Sequence, residues 1–357
     1  MKYLVHADGK LPNLALMRLS TYFKSRGSET RFMRGFVRRT AESPRGEAFG
    51  SSIFSFSNRL RDKIDAEWSP VTMGGVLWGG TGVDVASSLS SVDSDVSWDS
   101  IALDYSLYDG FQESIGFLTR GCRLRCGFCV VPAKEGKPYA VASVYDIWRG
   151  EPYPRHLHLL DNDAFAPQLA DHWRRAAHEI RDGGFRICFS QGINLRLVNE
   201  ESAAVIASLP YYATDFIHPQ LYTAWDSIGD EAVFRRGVKT LSDAGVKPRD
   251  LTVFMLVGYS ERETWEEIFY RLYELAALGC RPYPMVFDKR ARPDLCAFAR
   301  WAIWFHGYKE NGISWPQYRD SKSNRRLSPE ARAESIAAWK RVRLSGWKPK
   351  RRLEMDR

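Results

Sequence analysis

Between residues 114 and 287 short apolar runs alternate with longer segments whose apolar positions recur every three or four residues. The runs SIGFLT (114–119), HLHLL (156–160), FRICFS (185–190), LYTAW (221–225), LTVFMLV (251–257) and YPMVF (283–287) have the length and composition of buried strands. The intervening VASVYDIW, PQLADHWRRAAHEIRDGG, ESAAVIASL, DEAVFRRGVKTLSDAG and ERETWEEIFYRLYELAALG have helical spacing, and several close on glycine. Strand–helix repetition of this kind predicts parallel strands joined by right-handed crossovers, in a doubly wound or barrel-like sheet. In either arrangement ligands gather at the carboxyl ends of the strands. Upstream, KYLVHA reads as a strand, LALMRLSTYFKSRG as a helix ending at Gly27, GGVLWGGTG (74–82) as a strand running into glycines, and the Ser/Asp-rich stretch 87–100 as loop. Downstream, DLCAFARWAIWFHGYKEN and SPEARAESIAAWKRVR predict two helices, the second capped by Ser328 before Pro329. The class is α/β, with a small Rossmann-like domain over 1–105, a six-stranded βα domain over 106–290 and a helical extension with a basic tail over 291–357.

A chain of 357 residues with 44% apolar and 26% charged positions suffices for two domains with substantial cores. Its longest apolar run, LTVFMLVGY, falls short of the ~18 residues that span a bilayer. Asp8 and Lys10 interrupt the N-terminal stretch where a secretion signal needs apolar residues, so the expectation is a cytoplasmic protein without a membrane partner. Lys and Arg outnumber Asp and Glu by 51 to 43, and the whole excess of +8 lies after Asp320. Such a tail either docks on nucleic acid or another polyanion, or is solvated charge.

The six cysteines decide the chemistry. Cys122, Cys126 and Cys129 crowd into one loop at CxxxCxxC spacing, Cys188, Cys280 and Cys296 stand apart, and the first 121 residues have none. Reduced cytosolic thiols so grouped point to metal. Three thiolates leave one iron of a [4Fe–4S] cluster open, whereas electron-transfer clusters use four. Arg120, Arg123, Arg125 and Lys134 nearby favour thiolates. The alternative is zinc, with a fourth ligand from His156, His158, Cys188 or elsewhere in the chain.

The segment GFLTRGCRLRCGFCVVPAKEGKP, with aromatic Phe128 before its last cysteine, resembles the radical S-adenosylmethionine (radical SAM) superfamily over roughly residues 105–290. Its TRGC…CxFCVVPxxEG form is similar to that of the group with an N-terminal cobalamin-type domain or of methylthiotransferases. The resemblance implies a partial (β/α)6 barrel and a [4Fe–4S] cluster on Cys122, Cys126 and Cys129. It further implies SAM as cosubstrate, reductive cleavage to a 5′-deoxyadenosyl radical, and an electron donor such as flavodoxin or ferredoxin. Phe128, Asp161, Asn162, Gln191, Asn194, Arg196 and Gly258 stand at the strand ends where SAM would lie. Asp161 and Asn162 replace the superfamily's GGE motif and either receive the SAM ammonium or serve a turn. Gln191, Asn194 and Arg196, in SQGINLRL, either hold ribose and carboxylate or organise their loop. Gly258, in LVGYSE, permits close approach of backbone, Glu261 is a candidate cap for the next helix, and Asp226 either caps a helix or meets substrate. Methylthiotransferases need three further N-terminal cysteines that are absent here. The loop ADGKLPN lacks the histidine of cobalamin domains, so the first domain is expected to be degenerate and without cobalamin. The second function class is a non-catalytic iron–sulfur or zinc protein docking on nucleic acid through its tail.

Overall fold

In the computed structural model, which describes residues 1–318 and 328–349, the chain is mixed α/β and divides into two units. One comprises Met1–Gln112 with Cys129–Gly136, the other Glu113–Phe128 with the remainder from Lys137.

The first unit is built on a four-stranded parallel sheet. Its strands are β1 (Lys2–His6), β2 (Thr30–Arg34), β3 (Gly46–Ser51) and β4 (Thr72–Gly79), in the order β2-β1-β3-β4. Helices α1 (Leu14–Ser25) and α2 (Asn58–Trp68) cover opposite faces. Strand periodicity explains why β1 is buried on both sides: Tyr3 and Val5 meet Ile64 and Trp68 of α2, while Leu4 meets Leu16, Leu19 and Phe23 of α1. The Asn13 side chain caps α1 by accepting from Leu16 N–H, and Gly27 follows the helix at positive φ. The stretch 87–100 is loop with two single 3₁₀ turns, and its Trp98 is buried against Tyr22. The short helix α3 (Val131–Glu135) belongs to this unit, where Lys134 donates to the carbonyls of Val85 and Ser87 at 3.1 and 2.9 Å.

The second unit holds β5 (Ser114–Gly116), β6 (Thr119–Arg120), β7 (Tyr139–Ala140), β8 (His156–Leu159), β9 (Arg186–Phe189), β10 (Leu221–Ala224), β11 (Leu251–Val257) and β12 (Arg281–Val286). Two parallel three-stranded sheets, β5-β8-β9 and β10-β11-β12, follow chain order, and β6 pairs antiparallel with β7. An Ile187–Tyr211 bridge at β9 and a hydrogen bond from Ile193 N–H to Tyr222 O (2.7 Å) lead from one sheet to the next. The crossovers are α4 (Val144–Ile147), α5 (Ala170–Asp182), α6 (Glu200–Ser208), α7 (Glu231–Asp243) and α8 (Trp265–Ala277). Leu157, Leu159, Ile187, Phe189, Val253 and Met255 point to the core these helices close. On the other sheet face Tyr222 stacks on Phe254, which meets Tyr283 edge-on; Tyr283 and Met285 on the edge strand and Phe287 just after it are exposed.

Two terminal helices complete this unit. α9 (Pro293–Trp304) inserts Leu295, Phe298 and Trp301 into the core, and α10 (Pro329–Ser345) adds Ala338 and Val342. Ser328 caps α10, accepting from Ala331 N–H. The tail's described basic residues are largely in use within the fold: Arg332 donates to Trp315 O and Tyr318 O, Arg341 pairs with Glu266, and Arg343 lies over the Tyr273 ring. Lys322, Arg325, Arg326, Lys350, Arg351, Arg352 and Arg357 lie outside the described residues. Among the described residues no helix is long and apolar enough to cross a membrane.

Candidate functional site

The cysteine loop leaves β6, and two aspartates from the loop after β8 fix its start. Asp161 is fully buried; it accepts from Leu118 N–H (3.3 Å), Thr119 N–H (2.6 Å) and the Thr119 hydroxyl (2.6 Å). Burial outweighs these bonds and pushes its carboxyl up to about 6. Asp163, equally buried, takes the Arg123 guanidinium in a two-pronged pair at 2.7 and 2.9 Å and the Arg123 N–H at 3.0 Å. The carboxylate of Asp161 is thus spent on backbone and is not presented to a ligand, while Asn162 between the two is half-buried.

Further along the loop, Leu124 N–H points at the Cys122 sulfur (3.4 Å), and Arg196 donates to the Cys126 sulfur (3.4 Å). A Cβ on Gly127 would stand 2.7 Å from the Tyr259 hydroxyl, so that position accommodates only glycine without a shift. Phe128 meets Tyr259 edge-on at 5.4 Å, and Tyr259 meets Phe287 at 5.0 Å. Cys129 is half-buried and opens the segment grouped with the first unit.

At the carboxyl ends of β10 and β11 lies a cavity of about 330 Å³. Its walls include Cys126, Phe128, Arg196, Asp226, Asp230, Tyr259 and Glu263. Arg196 bridges the Cys126 sulfur and Asp230 (3.2 Å); burial opposes its charge, but the sulfur, Asp230 and Asp226 outweigh that and raise its affinity for the proton. Burial raises the carboxyls of Asp226 and Glu263. Asp226 accepts from Leu256 N–H at 3.3 Å and caps no helix; Ser227 caps the 3₁₀ turn that follows. Glu263 accepts from Gly258 N–H (2.7 Å) and pairs with Arg271, a wholly buried arginine that also donates to Trp225 O (2.8 Å) and Leu256 O (3.0 Å). Gly258 is at φ +76°, and a Cβ there would meet Leu295 at 2.5 Å, so the close approach it permits is to α9. The helix after β11 is capped by Thr264 and Glu267, and Glu261 stays exposed outside it.

Of the residues expected around SAM, the cavity therefore collects Phe128 and Arg196, with Gly258 one residue from Tyr259 and bonded to a wall residue. Asp161, Asn162, Gln191 and Asn194 are not among its walls, and Gln191 is exposed. The sequence reading missed Tyr259, Asp230, Glu263 and Arg271. Arg271 had a signal: it falls between Ile268 and Leu275 on the helix's apolar stripe, where a charge demands a buried partner.

The zinc alternative finds its ligands otherwise engaged. His156 stacks on Phe216; His158 is hydrogen-bonded to Ser190 (3.1 Å) and held neutral down to about 4 by burial; Cys188 is a buried core thiol pushed up to about 11. Cys280 is likewise buried, and Cys296 reaches the Lys289 carbonyl at 3.5 Å. None of the six cysteines is in a disulfide. The donor chemistry of the 122–129 loop, thiols with a guanidinium on one sulfur, fits a thiolate-bound iron–sulfur group. The side chains do not form a ready-made cage: among the described residues no three His, Cys, Asp or Glu stand together as metal ligands. In the first unit, Asp8 is taken up by Ser52 Oγ and the N–H groups of Ile53 and Phe54, and the glycines at 80 and 82 press on the backbone of Ser52 and Phe54.

No family model and no curated protein matches this chain.

Proposed function

We propose that the chain is a radical SAM enzyme, with the two three-stranded sheets of the second unit forming a partial (β/α)6 barrel and Cys122, Cys126 and Cys129 holding a [4Fe–4S] cluster. One observation carries the reading: the CxxxCxxC loop follows β5 and β6 at the start of two parallel three-stranded sheets that run in chain order, and its Cys126 and Phe128 line a cavity at the ends of β10 and β11. When bound, the cluster supplies the electron that cleaves SAM to methionine and a 5′-deoxyadenosyl radical, which abstracts hydrogen from a substrate.

The chain's own residues suit this task in three ways. On the cavity wall Asp230 pairs with Arg196 and Glu263 with Arg271, which leaves the Asp226 carboxyl to receive the ammonium group of a ligand. Phe128 and Tyr259 give an aromatic wall on which a flat base can lie. Arg271 locks Glu263, and through it the Gly258 backbone, so the cavity floor is set before any ligand arrives.

Anaerobic reconstitution tests the reading. Wild-type protein is expected to take up one [4Fe–4S] cluster with visible charge-transfer absorption and, with dithionite and SAM, to release 5′-deoxyadenosine. Replacing all three cysteines by Ala abolishes both. Unchanged iron content in that variant would sink the assignment.

A further inference from the structure

We propose that Arg196 is a positioning residue that sets the electron affinity of the cluster through Cys126; the inference rests on the cluster reading above. The sequence reading offered this arginine to the SAM carboxylate. In the structure its fork is already divided, one nitrogen on the Cys126 sulfur at 3.4 Å and the other on Asp230 at 3.2 Å. Cys122, by comparison, receives a neutral amide from Leu124 at a similar distance.

The support behind Arg196 is rigid. It sits in the 3₁₀ turn Leu195–Leu197, and α7 packs so closely on that turn that a Cβ on Gly237 would come within 2.3 Å of Leu195 O. Asp230 immediately precedes α7, so one element holds both the turn and the carboxylate that aims the guanidinium. The side chain is only 23% exposed, which limits screening of its charge. A one-electron reduction adds negative charge to the thiolate-bound group, and a fixed cation hydrogen-bonded to a ligating sulfur stabilises that reduced form. Arg196 therefore raises the reduction potential and eases electron uptake from a donor.

The test compares full-length wild type with Arg196→Gln, Arg196→Met and Arg196→Lys after reconstitution, by redox titration followed with electron paramagnetic resonance, alongside iron content and SAM affinity. Both neutral variants are expected to keep their iron while the equilibrium constant for electron uptake falls about tenfold, a shift of about 59 mV to more negative potential for a one-electron couple. Lys restores most of it, and the potentials are compared before SAM is added. A full cluster with an unmoved potential overturns the assignment, as does iron loss in both neutral variants, which would make Arg196 a residue for holding the cluster. A tenfold loss of SAM affinity at unmoved potential returns the arginine to the cosubstrate. Wild-type protein that takes up no cluster defeats the underlying reading, and this one with it.

Discussion

Asp161 and His158 lie three residues apart, and burial moves them in opposite senses, so each should leave an opposite signature in the pH dependence of stability. Burial foremost raises the Asp161 carboxyl from 3.8 to about 6. A raised folded-state value means that its contribution is present at low pH and is lost as pH climbs through about 6. Burial lowers His158 from 6.5 to about 4, so its contribution is present above 6.5 and is lost as pH falls through about 4. Weighting both protonation equilibria between about pH 4 and pH 7 gives about 2 kcal/mol for Asp161 and about 3 kcal/mol for His158. In Asp161→Asn the amide oxygen still accepts from Thr119, while its NH2 opposes Leu118 N–H, a cost that does not vary with pH. The assay is urea denaturation of the metal-free chain by tryptophan fluorescence across this range, each variant against wild type so that other titrating groups cancel. Raising the pH should move stability in favour of Asp161→Asn by about 2 kcal/mol, and lowering it should favour His158→Asn by about 3 kcal/mol. Parallel wild-type and variant curves would mean that these groups titrate as they do in the unfolded chain, and the desolvation argument would fail.

Two further outcomes follow from packing. Gly237→Ala should destabilise by about 1–3 kcal/mol in the same denaturation assay, because the overlap of its Cβ with Leu195 O exceeds the ~1 kcal/mol that alanine contributes in a helix. A chain ending at Asp320 should lose stability and expose apolar surface to a fluorescent dye such as ANS, since α10 supplies Ser335 to the Trp315 indole and Trp339 to the Tyr273 hydroxyl; unchanged unfolding would refute that role.

The strands of the second unit were legible because each is an apolar run bounded by turn residues, and the structure places β8 to β12 within a few residues of those runs. β5 is shorter than SIGFLT because the chain departs at Phe117 to form the hairpin strand β6. In the first unit β2, β3 and α2 went unseen. TRFMR is half polar, GEAFGS is weakened by glycines, and NRLRDKIDAEW buries only Ile64 and Trp68. At the site, the cysteine spacing and Phe128 were readable as a local pattern. The pairing of Arg123 with Asp163 and the placing of Arg196 on a cysteine sulfur join residues 40 and 70 positions apart, and the burial of Arg271 depends on helix packing, none of which a local pattern records.

The two aspartates that grip the cysteine loop make its shape a property borrowed from elsewhere in the chain. Asp161 and Asp163 lie 42 and 40 residues beyond the groups they hold, in the loop after β8, and β8 pairs with β5, from which the chain runs through β6 to the cysteines. The loop's form depends on that pairing, so its thiols are presented by the folded sheet. The cysteine motif is accordingly not portable by itself: a graft of residues 118–129 into another sheet would need the neighbouring strand and its Asp-Asn-Asp segment to travel with it.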